Sequence, residues 1–328
     1  MEHEDGNTSD ARRRQFVLAA GAMLFAPIAA VAQGAAPYRV GFLTVEADEQ
    51  LRQSLREMGY VEGRNIVLDI RSTAGRADLL DSLAADLVRS KVDVIVASYP
   101  AAVLSAKRAT STIPIVMMNT PDPVQLGLVT SLARPGGNIT GLSTLTVDVS
   151  VKQLELLKEA VPRASRVALL WNSDNPWHPL AVKALRARGG ALGVDVQVLE
   201  ARGPDAFDSA FSAMATERAQ AILVLADPML FVHRRRLADL AIKHRLPLMG
   251  NVPGYAEAGG LMAYWADRAD LSRRAASYVD RILKGAKPGD LPIEQPTKFE
   301  LVIDLKTARL LGITIPPSVL TRADRVIE

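Results

Sequence analysis

Residues 92–119 read "VDVIVASYPAAVLSAKRATSTIPIVMMN". The apolar run from Val92 breaks at Ser98, Tyr99 and Pro100, a helix-like stretch follows from Ala101, and the second apolar run "IPIVMMN" closes the unit. Short continuous apolar runs are the pattern of strands buried on both faces, and a helix between two of them is the crossover of a parallel sheet. The alternation continues upstream, with "YRVGFLTV" and "NIVLDIRST" as strands and "EQLRQSLREMGY" and "LLDSLAADLVRS" as helices. This order predicts a doubly wound α/β domain covered by helices on both faces.

The same order then recurs. "SRVALLWN" answers "YRVGFLTV", "VDVQVLE" answers "NIVLDIR", "AQAILVLADP" answers "SKVDVIVASYP", and "RLPLMGN" answers "TIPIVMMN", at an offset of about 127 to 133 positions. That spacing is too long for a solenoid and suits a duplicated domain. The predicted fold is two similar doubly wound parallel-sheet α/β domains. The tail beyond the second copy reads as a strand, a long helix, and a further strand and helix. If the long helix returns to the first domain, the hinge is crossed more than once. On this reading residues 38–142 with about 260–290 form an N-terminal domain, and 143–259 with about 291–328 a C-terminal one.

The chain opens with an export pattern. Arg12, Arg13 and Arg14 precede "FVLAAGAMLFAPIAAVA", and Ala30-Val31-Ala32 offers a small-residue cleavage site before Gln33. Residues 1–32 are therefore expected to be removed, leaving no stable membrane insertion. Arg13-Arg14-Gln15-Phe16-Val17-Leu18 is similar to the twin-arginine pattern, although Arg12 stands where that pattern usually has Ser or Thr. The expected location is the periplasm.

Composition narrows the function. The 39 basic and 36 acidic residues leave a net charge of +3, with no basic block beyond the N-terminus, so nucleic acid is not an expected partner. The absence of cysteine excludes disulfides, thiolate metal sites and a lipidated cysteine. The four histidines lack close metal-ligand spacing, and no metal or other cofactor is expected. "RPGGNITG" at 134–141 lacks both phosphate-loop spacings and reads as a turn into a domain crossing at Gly141 and Ser143. No nucleophile elbow or catalytic triad can be nominated, and no enzyme activity is expected.

In open parallel sheets ligands bind outside the carboxyl ends of the strands, so two such rims can face each other across one cleft. The first rim carries Thr44, Ser98, Tyr99, Asn119 and Thr120, with Asp122 between prolines as a turn residue. Ser98 or Tyr99 can cap the helix starting at Pro100, whose first free amides favour a carboxylate or phosphate. The second rim carries Asn172, Asn175, Trp177, Asp227 and Asn251. Asp227 precedes Pro228 and either pairs with an ammonium group or caps the next helix. Tyr264 and Trp265 fall where the chain is expected to return to the first domain, as an aromatic wall or as hinge filling.

The segments "LREMGYVEGRNI", "TSTIPIVMMNTPDPVQLGLVTSLARPGGNITGLS", "KQLELLKEAVP" and "EQPTKFELVIDLKTARLLGITIPPSVLTRADRVIE" closely resemble the ABC-transporter substrate-binding proteins with a type I periplasmic-binding-protein fold. The resemblance covers essentially all of the chain after the leader. It implies a monomeric receptor that closes on a small solute and delivers it to an ABC permease with its ATPase, and some members look like receptors for aromatic amino acids. One departure is the short stretch Glu46-Ala47-Asp48, where relatives have a longer, ligand-contacting loop. With the rim chemistry, the expected ligand is a carboxylate or amino acid with an apolar or aromatic part. Two other classes remain: a ligand sensor docking on a signalling receptor, and an α/β enzyme. A transcription regulator of this architecture would carry a helix-turn-helix where this chain carries an export pattern.

Overall fold

The structure is a computed structural model that describes residues 36–45, 49–144 and 146–328, so the expected leader at 1–32 lies outside the described residues. β1 (Tyr38–Thr44), β2 (Ile66–Ser72), β3 (Val94–Ser98), β4 (Ile115–Pro121) and β5 (Ile139–Thr144) form a parallel sheet in the order β2-β1-β3-β4-β5. The chain winds one way from β1 to β2 and the other way from β3 to β5. Helices therefore cover both faces, and a crevice opens beyond the carboxyl ends of β1 and β3.

The second sheet repeats this plan and extends it. β6 (Arg166–Trp171), β7 (Asp195–Glu200), β8 (Ala221–Val224), β9 (Leu248–Gly250), β10 (Met262–Ala266), β11 (Phe299–Asp304) and β12 (Arg325–Ile327) lie in the order β12-β11-β10-β9-β8-β6-β7. Strands 7-6-8-9-10 reproduce 2-1-3-4-5, the duplication read from the sequence. β11 is antiparallel to β10, and β12 parallel to β11.

β10 differs from the sequence expectation, which placed residues from about 260 in the first domain. It is the counterpart of β5, hydrogen-bonded between β9 and β11. Met262 and Ala263 are wholly buried, and such a strand needs a neighbour on both edges. The helix Arg268–Leu283 that follows lies on the first sheet, against the helix Glu49–Glu57 and β3 to β5, and the chain stays there as far as Glu294. β5 runs to Thr144, so the first passage between sheets comes after that residue rather than at 142. The chain passes again between Ala266 and Arg268, and a third time beyond Glu294. Glu294 lies beside β5, taking the Ser143 N–H (2.9 Å) and giving its own to Gly141 O (3.1 Å).

Strand alternation splits the core between sheet faces. Ile95 and Ala97 pack with Leu87 and Val103, while Val94 and Val96 pack with Leu271, Ala275 and Val279 of the returning helix. Full burial of each such aliphatic side chain contributes about 1.5–3 kcal/mol. Where β4 meets β5 the register shifts between Met117 and Thr120, and Asn119 takes a φ of 51°. Gly141 permits the close approach there, since a Cβ on it would lie 2.4 Å from Met117 O. This bulge sets the backbone of Asn119 at the mouth of the crevice.

Candidate functional site

A cleft lies between the carboxyl ends of the two sheets. From the first sheet it is lined by Thr44, Ser98, Tyr99 and Asn119, with Ala101 and Ala102 from the start of the helix Pro100–Ala109. Asn172, Asn175, Trp177 and Asp227 line it from the second sheet, and Trp265 stands at the end of β10. Neither Ser98 nor Tyr99 caps the Pro100 helix through its side chain. Pro100 has no N–H, and the Val103 N–H goes to Tyr99 O (3.1 Å). The Ala101 and Ala102 amides are the ones that begin the helix at the cleft wall, where the positive end of the helix favours an anion. Tyr99 holds φ 72° and ψ 152°, a region natural to glycine and costly for tyrosine.

The opposite wall is a closed hydrogen-bond network centred on Asp227, which is 4% exposed. Its Oδ1 accepts the Met229 and Leu230 N–H groups (2.9 and 3.1 Å) and so caps the helix Pro228–Val232. Its Oδ2 accepts from the Nδ2 groups of Asn172 (3.2 Å) and Asn175 (3.0 Å). Four donors occupy the lone-pair directions of this carboxylate. Of the two roles open in the sequence, helix capping is thus realised directly, and an ammonium group would meet Asp227 as a nearby charge. Because the Asn175 amino group is committed to Asp227, its Oδ1 is fixed as an acceptor, and that oxygen is buried without a partner.

His178, wholly buried, ties this wall together. Its Nε2–H donates to Ala226 O (3.1 Å), and Nδ1 accepts the Asn172 N–H (3.1 Å), the pattern of the neutral ring. Asn172 O also lies 2.8 Å from Nδ1, a contact that a proton on Nδ1 would satisfy. Burial holds the His178 pKa below the ordinary histidine value, with the Asp227 charge and the two carbonyls pulling the other way. Trp177 stands edge-on to the imidazole at 4.5 Å between centroids. The sequence offered no signal for this role of His178, because its partners lie on two separate strand ends.

Three expected residues are placed differently. Thr120 is wholly buried, gives its hydroxyl to Met118 O (3.2 Å) and does not line the cleft, because the bulge sets Asn119 there instead. Tyr264 stacks on Phe299 with centroids 5.6 Å apart, outside the cleft, since successive strand residues face opposite ways and Trp265 faces in. Asn251 lines an adjoining chamber rather than this one. Asp122 holds its turn by accepting the Gln125 N–H (3.0 Å). Lining residues not foreseen include Thr73, Gly75, Pro121, Pro228 and Met229.

No group of three or more His, Cys, Asp and Glu side chains that could hold a metal occurs among the described residues. No helix among them is long and apolar enough to cross a membrane.

Over residues 44–327 the chain matches the family described as ABC transporter substrate binding protein. It is 26% identical over 262 residues to a tyrosine-binding protein from Clostridioides difficile, covering 80% of this chain and 75% of that one. A structure from Streptococcus pneumonia, an ABC domain in complex with L-Trp, superposes with a TM-score of 0.82 at 26% identity, covering 89% of this chain and all of that one (100%). A leucine-binding protein from Thermotoga maritima shares the fold at a TM-score of 0.53 and 14% identity, over 76% and 77% of the two chains.

Proposed function

The chain belongs to the ABC transporter substrate-binding proteins, and on that premise we propose that it captures an amino acid or related carboxylate with an apolar or aromatic part. One observation carries this reading: the first turn of the Pro100 helix and the Asn175–Asp227 network occupy opposite walls of one cleft, with Trp177 and Trp265 among its lining. The Ala101 and Ala102 amides suit a carboxylate. The Asn175 carbonyl, with the Asp227 charge behind it, suits an ammonium. The two indoles supply apolar surface between them. The tyrosine-binding and L-Trp-bound relatives support the same ligand class.

The protein works outside the cytoplasm, exported through its leader at residues 1–32 by the twin-arginine route, and closes as a monomer on its solute before docking on an ABC permease driven by its ATPase. The solute is released unchanged, without turnover. The test is a thermal-shift and calorimetric screen of the protein stripped of bound solute, using L-tryptophan, L-tyrosine, L-leucine, benzoate and D-arabinose. A ligand at about 100 times its Kd stabilises by about 2.7 kcal/mol. Stabilisation by an aromatic or aliphatic carboxylate is the expected result; a response to the sugar alone overturns the reading.

A further inference from the structure

The cleft does not end at Trp265. Thr44, Ser98, Tyr99, Asn119 and Trp265 also line a second chamber, so the two spaces share one wall. Their chemistry differs. The lining of the first includes two charged residues, Asp174 and Asp227, whereas the second adds Arg234, Glu257, Asp267, Arg268, Glu300 and Arg325, charges of both signs, of which Arg325 pairs with Glu257 (2.6 Å) and Glu300 (3.4 Å). Phe231, Val252 and Leu271 also line the second chamber, so it sets apolar surface beside charges of both signs and suits a group that carries a polar end.

Unpaired asparagine oxygens extend across both chambers. Asn175 lines the first, Asn119 the shared wall and Asn251 the second, and the Oδ1 of each is buried without a hydrogen-bond partner. Asn251 is 4% exposed. A buried polar atom left unpaired is costly, so three on residues of one continuous cleft mark where donors belong. The ammonium of a free amino acid can serve the first of them. A second residue joined through a peptide bond supplies an amide N–H at the shared wall and a polar end in the charged chamber.

We infer that the cleft takes a ligand of dipeptide length, with its aromatic or apolar residue in the first chamber and its second residue against Asn251 and the charged side chains beyond Trp265. This rests on the carboxylate reading of the first chamber and extends it.

Isothermal titration of the stripped protein with L-tryptophan, L-tyrosine, tryptophyl-glycine, glycyl-tryptophan, tyrosyl-glycine and glycyl-tyrosine tests it. The expected result is that at least one dipeptide binds about tenfold more tightly than its free aromatic amino acid. In Asn251→Leu, which removes the polar atoms of that side chain, that ratio falls to near unity. Arg268→Ala, a change at an exposed residue, lowers the same ratio if Asn251→Leu fails to fold. Free amino acids binding more tightly than every dipeptide, or a dipeptide advantage untouched in both variants, overturns the inference and leaves the carboxylate reading standing. No binding of any of the six overturns the inference, and with no response to L-leucine or benzoate either it overturns both.

Discussion

Gly75 and Val232 meet across the cleft: a Cβ on Gly75 would lie 3.1 Å from Val232 Cγ2, and Met229 Cα stands 3.6 Å away. Gly75 follows β2 of the first sheet, and Val232 ends the helix capped by Asp227 on the second. The two rims are therefore in contact on this side, and a side chain at Gly75 would fit only if Val232 gave way by a few tenths of an ångström.

Gly75→Asn is expected to hold the rims apart. Asparagine tolerates positive φ better than other residues with a side chain, so it limits backbone strain at φ 86° while adding bulk against Val232. Ligand affinity should fall about tenfold or more, with melting of the ligand-free protein little changed. Calorimetry gives the first quantity, and small-angle scattering should show less compaction on ligand addition than in the parent protein.

Asp227→Asn is expected to destabilise the protein even without ligand. The new amide can keep Oδ1 toward the Met229 and Leu230 N–H groups, but its NH₂ then faces the Nδ2 groups of Asn172 and Asn175. Donors opposed in a buried site cost about 1–3 kcal/mol. Urea unfolding of the ligand-free variant should show a loss of that size; undiminished stability would mean that the network is not held as described.

The duplicated sheets were legible because strand and helix periods differ and because the same run of elements occurs twice. The sheet to which β10 belongs was not: an apolar five-residue run states that it is buried, not against which neighbours. The rim rule located Thr44, Ser98, Asn172 and Trp177 in the cleft lining, since it needs only the ends of strands. It could not separate Asn119 from Thr120 or Trp265 from Tyr264, because each choice depends on a bulge or a facing that follows from pairing. The partners of Asp227, on a loop more than fifty residues earlier, and the contact of Gly75 with Val232 are products of the tertiary fold alone.

His178 sets an acid limit. Its folded-state pKa lies below the ordinary value near 6.5, with burial the largest cause, so the folded protein binds this proton less readily than the unfolded chain does. Its contribution to stability is present above about pH 6.5 and is lost as pH falls toward the folded pKa. Urea midpoints measured from about pH 7.5 down to 5 should decline more steeply in the parent than in His178→Gln, which has no proton to take up there. Equal slopes would remove His178 as the cause.

Tyr99 links strain to binding. At φ 72° and ψ 152° its backbone lies where a side chain costs about 1–3 kcal/mol, and the surrounding structure holds it there through the Tyr99 N–H to Met118 O bond (3.0 Å) and the helix starting at Pro100. Replacing it with glycine removes that cost and also removes a half-buried ring from the wall shared by both chambers. Glycine adds back unfolded-state entropy of about 0.5–1 kcal/mol, and the lost ring contacts offset more of the gain. Tyr99→Gly should therefore leave the stability of the ligand-free protein within about 1 kcal/mol of the parent, where truncation of a well-packed unstrained aromatic costs about 3–5 kcal/mol. Affinity for the best ligand in the screen should fall about tenfold or more, because the wall facing it is gone. A stability loss of the full truncation size would show that Tyr99 serves packing, and an unchanged Kd would remove its ring from the ligand's surroundings.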